Sequence, residues 1–195
     1  MRVLVACEFS GIVRDAFIAK GHDAMSCDLL PTEQTGPHYQ GDVLDIINDG
    51  WDLMIGHPPC TYMSNAGARF LYPQGQLNQS RLALALEGKE FFMRLFNASI
   101  PKICIENPIP SGVVGLPPCN QIIQPYYFGD AVQKKTCLWL KNLPPLMSTA
   151  ITTQNQSTKK SGNWFNKGGK DRQKNRAKTF QGIANAMADQ WGLRG

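Results

Sequence analysis

The chain has 195 residues, 20 Lys+Arg against 15 Asp+Glu, a formal net charge of +5, and 43% hydrophobic and 18% charged residues. That balance excludes a disordered chain, and the length predicts one domain, or one domain with a small appendage, able to bury its own core. No apolar run approaches the ~18–20 residues of a membrane span, and the start Met1-Arg2-Val3-Leu4-Val5-Ala6-Cys7-Glu8 turns acidic too soon for a secretory leader, so a cytoplasmic protein without a membrane partner is expected.

Arg2 to Cys7 is a β-branched run and predicts a buried strand. Ser10-Gly11 breaks it. Ile12 to Lys20 then has helical spacing, with Ile12, Val13, Phe17 and Ile18 on one face and Gly21 beyond its end. Asp23 to Leu29 predicts a second strand, with Asp28 at its end, and His38 to Val43 a loop into a short element holding Asp42. Trp51 to Gly56 predicts a third strand that runs into His57-Pro58-Pro59-Cys60. Residues 61–80 are irregular, and Arg81 to Ser99 has a helical period through Leu82, Leu86, Phe91, Phe92, Leu95 and Phe96. Lys102 to Ile105 predicts a strand ending at Glu106-Asn107-Pro108, and Gln121 to Gln124 and Thr136 to Leu140 predict two more. Thr179 to Gly192 closes the chain as a helix with Ile183, Met187 and Trp191 on one side.

This alternation predicts an α/β domain with a mostly parallel sheet, whose ligands sit at the carboxyl ends of the strands. Charge is concentrated late. Residues 1–149 hold 11 basic and 13 acidic side chains, whereas 150–195 hold 9 basic and 2 acidic. Lys159, Lys160, Lys167, Lys170, Arg172, Lys174, Arg176 and Lys178 surround a single Asp171, with Trp164 and Phe165 among them. Such a segment suits phosphates and bases, or serves as a solvated loop. The six cysteines show no CxxC spacing, so no metal site is expected, and most read as small buried hydrophobes.

The strand ends carry the chemistry. Ser10-Gly11 allows a ligand close to the backbone, or is an ordinary turn. Asp28 stands where nucleotide folds place an acid on ribose, or is a surface carboxylate. Pro58-Pro59 forms a rigid turn that presents Cys60 at the strand end, as a nucleophile or as a packed thiol. Glu106 follows the apolar run Ile103-Cys104-Ile105, so it is a candidate acid or hydrogen-bonding group, or a salt-bridged structural glutamate.

Phe9-Ser10-Gly11, Asp28, Gly41-Asp42-Val43, Pro58-Pro59-Cys60 with Ser64, Glu106-Asn107-Pro108 and Gln133-Lys134-Lys135 occur in the order of the motifs of DNA cytosine-5 methyltransferases. The chain resembles the short phage or prophage members of that family from about residue 3 to residue 191. The resemblance implies the S-adenosylmethionine-dependent version of a doubly wound α/β sheet, with a catalytic domain over 1–145 and 179–195 and a minimal DNA-contacting insert over 146–178 in place of a target-recognition domain. It implies S-adenosylmethionine as cofactor, held by Phe9, Ser10, Gly11, Asp28, Asp42, Val43 and Pro58. Cys60 is implied as nucleophile on cytosine C6, Glu106 as the group bonding the ring, and Lys135 in place of an arginine. DNA is the implied partner, contacted by Ser64, Gln133 and the basic residues Lys159, Lys160, Lys167, Lys170, Arg172, Lys174 and Arg176. Low sequence specificity, or reliance on a partner that supplies it, is expected from the short insert. Replacing Glu106 by Gln is expected to depress catalysis with little effect on folding. The alternatives are a related C5-pyrimidine modification with another sulfonium donor or a nucleotide substrate, and a catalytically weak nucleic-acid-binding relative. An amino-methyltransferase fits less well, because His57 stands where it needs Asp or Asn, and a cysteine hydrolase lacks a placed base.

Overall fold

The computed structural model describes residues 1–150 and 172–193. Five strands run parallel: β1 (Arg2–Ala6), β2 (Asp23–Asp28), β3 (His38–Gln40), β4 (Leu53–Gly56) and β5 (Lys102–Pro108). β6 (Gln121–Ile123) and β7 (Thr136–Lys141) complete the sheet, β7 antiparallel to β5 and β6 antiparallel to β7. The order across the sheet is β3-β2-β1-β4-β5-β7-β6. The chain therefore winds outward from β1 in one direction and from β4 in the other, and the crevice between the ends of β1 and β4 is the switch point where such folds bind ligands.

Strand alternation divides the core into two faces. Val3, Val5, Leu53, Ile55, Cys104 and Leu138 lie on one face, under helices α1 (Ile12–Ala19) and α4 (Gln181–Trp191). Leu4, Ala6, Met54, Ile103, Ile105 and Trp139 lie on the other, where α2 (Gln79–Phe96) packs Ala85, Phe92 and Leu95. The sheet is thus doubly wound. The first half of α2 is less buried than its period suggested: Leu84 and Leu86 are 40% and 47% exposed.

Other differences from expectation have local causes. The expected loop at 38–43 contains β3, followed by a 3-10 turn, Val43–Asp45, capped by Asp42 through Leu44 N–H at 2.9 Å. α2 starts at Gln79 because Asn78 Oδ1 accepts from Arg81 N–H at 3.0 Å. β5 extends to Pro108 because its antiparallel pairing with β7 continues to Pro108↔Thr136, so Glu106 lies inside a strand. A short helix, α3 (Arg172–Ala177), precedes α4 and had no counterpart in the sequence pattern. The basic insert expected over 146–178 falls mostly outside the described residues. Its described ends belong to the fold: Leu146 is buried in the α1/α4 core, and Lys174 and Lys178 pair with Glu33.

Arg14 explains the unusual turn after β1. Its side chain is fully buried, and its guanidinium donates to Ser26 Oγ (3.1 Å), Thr32 Oγ1 (3.2 Å) and Gln34 O (3.0 Å), with Nε on Asp15 Oδ1 (2.7 Å). A Cβ at Gly11, which has φ +77°, would stand 2.5 Å from Arg14 Nη2. The glycine therefore makes room for this arginine, which pins the loop after β2. Arg14→Met is expected to lower stability by about 2–4 kcal/mol in denaturant unfolding, because it removes the charged hydrogen bonds by which the buried guanidinium ties Ser26, Thr32 and Gln34 together. A loss below about 0.5 kcal/mol, the scale of an ordinary surface substitution, would show that the loop does not depend on it.

Candidate active site

Register sets the site. Ala6 pairs with Cys27 and Gly56, and Gly56 with Ile105. The next residue of each parallel strand is Cys7, Asp28, His57 and Glu106, so these four form one row at the carboxyl edge. Cys7 there adopts φ +58°, rare for a residue with a side chain, and turns the chain into the buried segment Glu8-Phe9-Ser10. Glu8 accepts from Val13 N–H (2.8 Å) and Arg14 N–H (3.2 Å), and Ser10 Oγ donates to it at 3.1 Å. The carboxylate thus caps α1 and complements its dipole. Sequence reasoning assigned no role to Glu8.

The centre is a buried pair. His57 Nδ1 and Glu106 Oε2 are 2.8 Å apart, with side chains 9% and 10% exposed. Thr179 Oγ1 donates to the same oxygen at 3.3 Å. Burial alone would raise the Glu106 pKa. The bond from His57, the Lys134 charge, the His57 charge and the bond from Thr179 together bring it down to about 2. Burial pushes the His57 pKa down, but its bond to Glu106 and the charges of Glu106 and Glu8 raise it above its ordinary value. Glu106 is therefore an ionised carboxylate whose proton partner is His57. Two buried nitrogens here, His57 Nε2 and Asn107 Nδ2, have no hydrogen-bond partner among the described residues.

Cys60 is a free, half-buried thiol at the end of the Pro58-Pro59 turn. Its carbonyl accepts from Met63 N–H (3.1 Å) and Ser64 N–H (3.0 Å), which holds Ser64 beside it. Burial pushes the thiol pKa up, the Lys134 charge draws it down, and Glu106 raises it, leaving it above its ordinary value. Lys134 is thus the cation acting on both Cys60 and Glu106, while the neighbouring Gln133 and Lys135 are exposed. Lys134 is held by its amide on Gln124 Oε1 (2.9 Å) and by Nζ on Arg176 O (3.1 Å). The resemblance implies Lys135 for the cation of the site; which of the two adjacent lysines faces Cys60 and Glu106 depends on how an irregular segment is turned before entering β7.

Asp28, within the row, and Asp42, after β3, lie on its β2–β3 side, and their charges reach Cys7. Each uses Oδ1 for its own turn, on Leu30 N–H and Leu44 N–H, both at 2.9 Å. Phe9, Ser10, Val43 and Pro58 are buried. Above Phe9 stands Lys174 Nζ, 5.2 Å from the ring centre and 3.0 Å from Glu33 Oε1. Lys178 pairs with Glu33 Oε2 at 2.6 Å, and Ala177, Lys178 and Thr179 cover the ends of β1 and β4, leaving an enclosed space of about 10 Å³. Lys174 is therefore already paired. Arg176 contributes its carbonyl to Lys134 and its charge to Cys60. Lys159, Lys160, Lys167 and Lys170 lie outside the described residues. Among the described residues no cluster of His, Cys, Asp or Glu could hold a metal ion, and no helix is long and apolar enough to cross a membrane.

No protein-family model and no curated protein matches the chain. Solved structures do. One is a protein assigned as a DNA modification methyltransferase, encoded within an E. coli prophage: 17% identity, TM-score 0.47, covering 78% of this chain and 52% of that one. Another is WbdD bound to a kinase inhibitor: 14% identity, TM-score 0.36, covering 75% of this chain and 37% of that one. The chain thus spans about half the length of the first and little more than a third of the second.

Proposed function

We propose that the chain is a DNA cytosine-5 methyltransferase acting through a covalent adduct on Cys60. The observation that carries this reading is that Cys60, in the turn after β4, and Glu106, in the adjacent parallel strand β5, lie at the same carboxyl edge of the sheet, with the Lys134 charge acting on both. Cytosine C5 is a poor nucleophile until a group adds at C6, and a thiol beside a ring-binding carboxylate supplies that step. The target base must leave the stack to reach it.

The residues fit a sulfonium nucleoside as donor. Asp28 and Asp42 each keep one carboxylate oxygen outside their own turns, which suits ribose hydroxyls and an adenine amine. The segment 177–179 and Lys174 lie over Phe9 and Ser10, so the donor's sulfonium end reaches the row only when they shift. Bound there, S-adenosylmethionine would supply an activated methyl group. The remaining work is the chain's own. Lys134 stabilises the Cys60 thiolate, whose sulfur adds to C6. Glu106 receives the ring at N3 and the exocyclic amine, and the proton that N3 takes up is held by the His57–Glu106 pair. Once C5 carries the methyl group, loss of its proton restores the C5–C6 double bond and expels the Cys60 sulfur.

Nucleoside mass spectrometry on DNA incubated with the protein and S-adenosylmethionine tests this directly. The expected product is 5-methyldeoxycytidine. A 4-methylcytosine or 6-methyladenine product would place the chain among amino-methyltransferases instead. Asp28→Ala is expected to weaken S-adenosylmethionine binding roughly tenfold or more in calorimetry, the scale of a hydrogen bond to a charged group. Unchanged affinity would remove Asp28 from the donor site.

A further inference from the structure

Tyr62, two residues beyond Cys60, lines a groove of about 430 Å³ whose walls also include Phe70, Pro73, Ser80, Arg81 and Leu84. None of these belongs to the constellation described above. Tyr62 and Phe70 are 40% and 51% exposed. The Arg81 guanidinium joins them, its carbon 5.0 Å from the Tyr62 ring centre and 5.4 Å from that of Phe70. Arg81 Nη2 donates to Thr61 O at 3.3 Å, and Arg81 makes no salt bridge among the described residues.

The platform is built rather than incidental. A Cβ at Gly67 would stand 3.0 Å from Arg81 Nη2 and 3.2 Å from Thr61 O, so glycine keeps that space for the guanidinium. Buried Met63 and Leu71, 1% and 3% exposed, anchor the segment from below. Ser111 N–H donates to Met63 O (2.7 Å), Asn65 N–H to Ile109 O (2.8 Å) and Asn78 N–H to Leu71 O (2.8 Å), tying it to the exit of β5 and the start of α2. Exposed rings on an anchored backbone, bridged by a planar cation and with no carboxylate among the lining residues, match the flat face of a base next to a phosphate. Tyr62 follows Cys60 by only two positions, so one wall of the groove belongs to the same short segment as the thiol.

We propose that this groove holds one unpaired nucleotide of the DNA strand that carries the target base, its base stacked on Tyr62 and Phe70 and its phosphate at Arg81. The proposal rests on the nucleic-acid reading above and adds that the strand is engaged unpaired next to Cys60. The test is fluorescence anisotropy of the full chain with a short labelled oligothymidylate, single-stranded or paired. That probe contains no cytosine, so binding is read apart from methylation. The single strand is expected to bind more tightly than the duplex. Tyr62→Ala and Phe70→Ala should each weaken it roughly 5- to 100-fold, with Tyr62→Phe near wild type. Arg81→Gln should reduce the salt dependence by about 0.7 in log–log slope. Tyr62→Trp should be quenched on binding, and thermal melting of each variant verifies folding. Equal affinity of the folded alanine variants, with an unquenched Tyr62→Trp, would overturn the proposal. So would tighter binding of a proline-rich peptide than of the oligonucleotide, which would put a protein partner in the groove. Binding that depends on Tyr62, in a chain that yields no methylated nucleoside, would support the groove and overturn the methyltransferase reading instead.

Discussion

Replacing Cys60 by Ala is expected to abolish methyl transfer, with a loss on the order of 10⁴- to 10⁶-fold, the scale observed when a covalent nucleophile is removed. The reason is chemical rather than structural. Without addition at C6, C5 gains no electron density, and neither Glu106 nor Lys134 can substitute for a bond to carbon. The thiol is half-buried at a turn held by the backbone of Cys60 itself, through Met63 and Ser64, so the variant keeps those hydrogen bonds and its fold. Donor affinity should stay near wild type, because Asp28 and Asp42 are untouched. Burial holds the Cys60 thiol above its ordinary pKa despite Lys134, so wild-type turnover should rise with pH through the alkaline range as the thiolate forms. Lys134→Met removes the opposing charge and should move that rise further toward alkaline pH. Nucleoside mass spectrometry across pH reads both effects. Wild-type methylation by Cys60→Ala would remove the covalent mechanism altogether.

Breaking the His57–Glu106 pair should cost more stability than any other single change at the site. His57→Leu leaves the Glu106 carboxylate, 10% exposed, without its main partner, and removing one member of a buried pair costs about 3–5 kcal/mol. For a chain of this size that is a fall in Tm of roughly 10 °C. The sign depends on pH. Glu106 has its pKa lowered from 4.5 to about 2, so its contribution is complete above 4.5 and is lost as pH falls toward 2. His57 is raised above 6.5, so its contribution is complete below 6.5 and is lost as pH rises through its folded value. The gap between wild type and His57→Leu should therefore be widest from about pH 4.5 to 6.5, narrow below that, and narrow again as pH rises from 6.5 through the folded His57 value. Thermal melts at several pH values measure it, and a gap that narrows at neither the acid nor the alkaline end would mean that the pair carries no charge. The pair also revises one expectation drawn from sequence. Glu106→Gln leaves a buried imidazole opposite a neutral amide, so it should lower stability as well as catalysis.

The same pair shows how far the sequence reads. The row that holds it was legible in outline. Strand runs ending at Cys7, Asp28, His57 and Glu106 follow from apolar patterning, and residues unsuited to a core mark where each strand leaves it. The alternation of strands and helices determined a mostly parallel α/β sheet, and with it the edge where the site lies, because right-handed crossovers bring successive parallel strand ends to one side. Cys60 and Glu106 stood out because a thiol behind two prolines and a carboxyl behind an apolar run both demand an explanation.

The tertiary structure decided what those groups touch. Residues 57 and 106 are far apart in sequence, and only the pairing of Gly56 with Ile105 places one beside the other. The choice of Lys134 over Lys135, the buried Arg14 under Gly11, the Glu8 cap of α1 and the closure of 177–179 over the strand ends arise from register and packing between distant segments. Patterning reports whether a side chain faces the core or the solvent. It does not report which partner meets it there, and for buried charges the partner determines the chemistry.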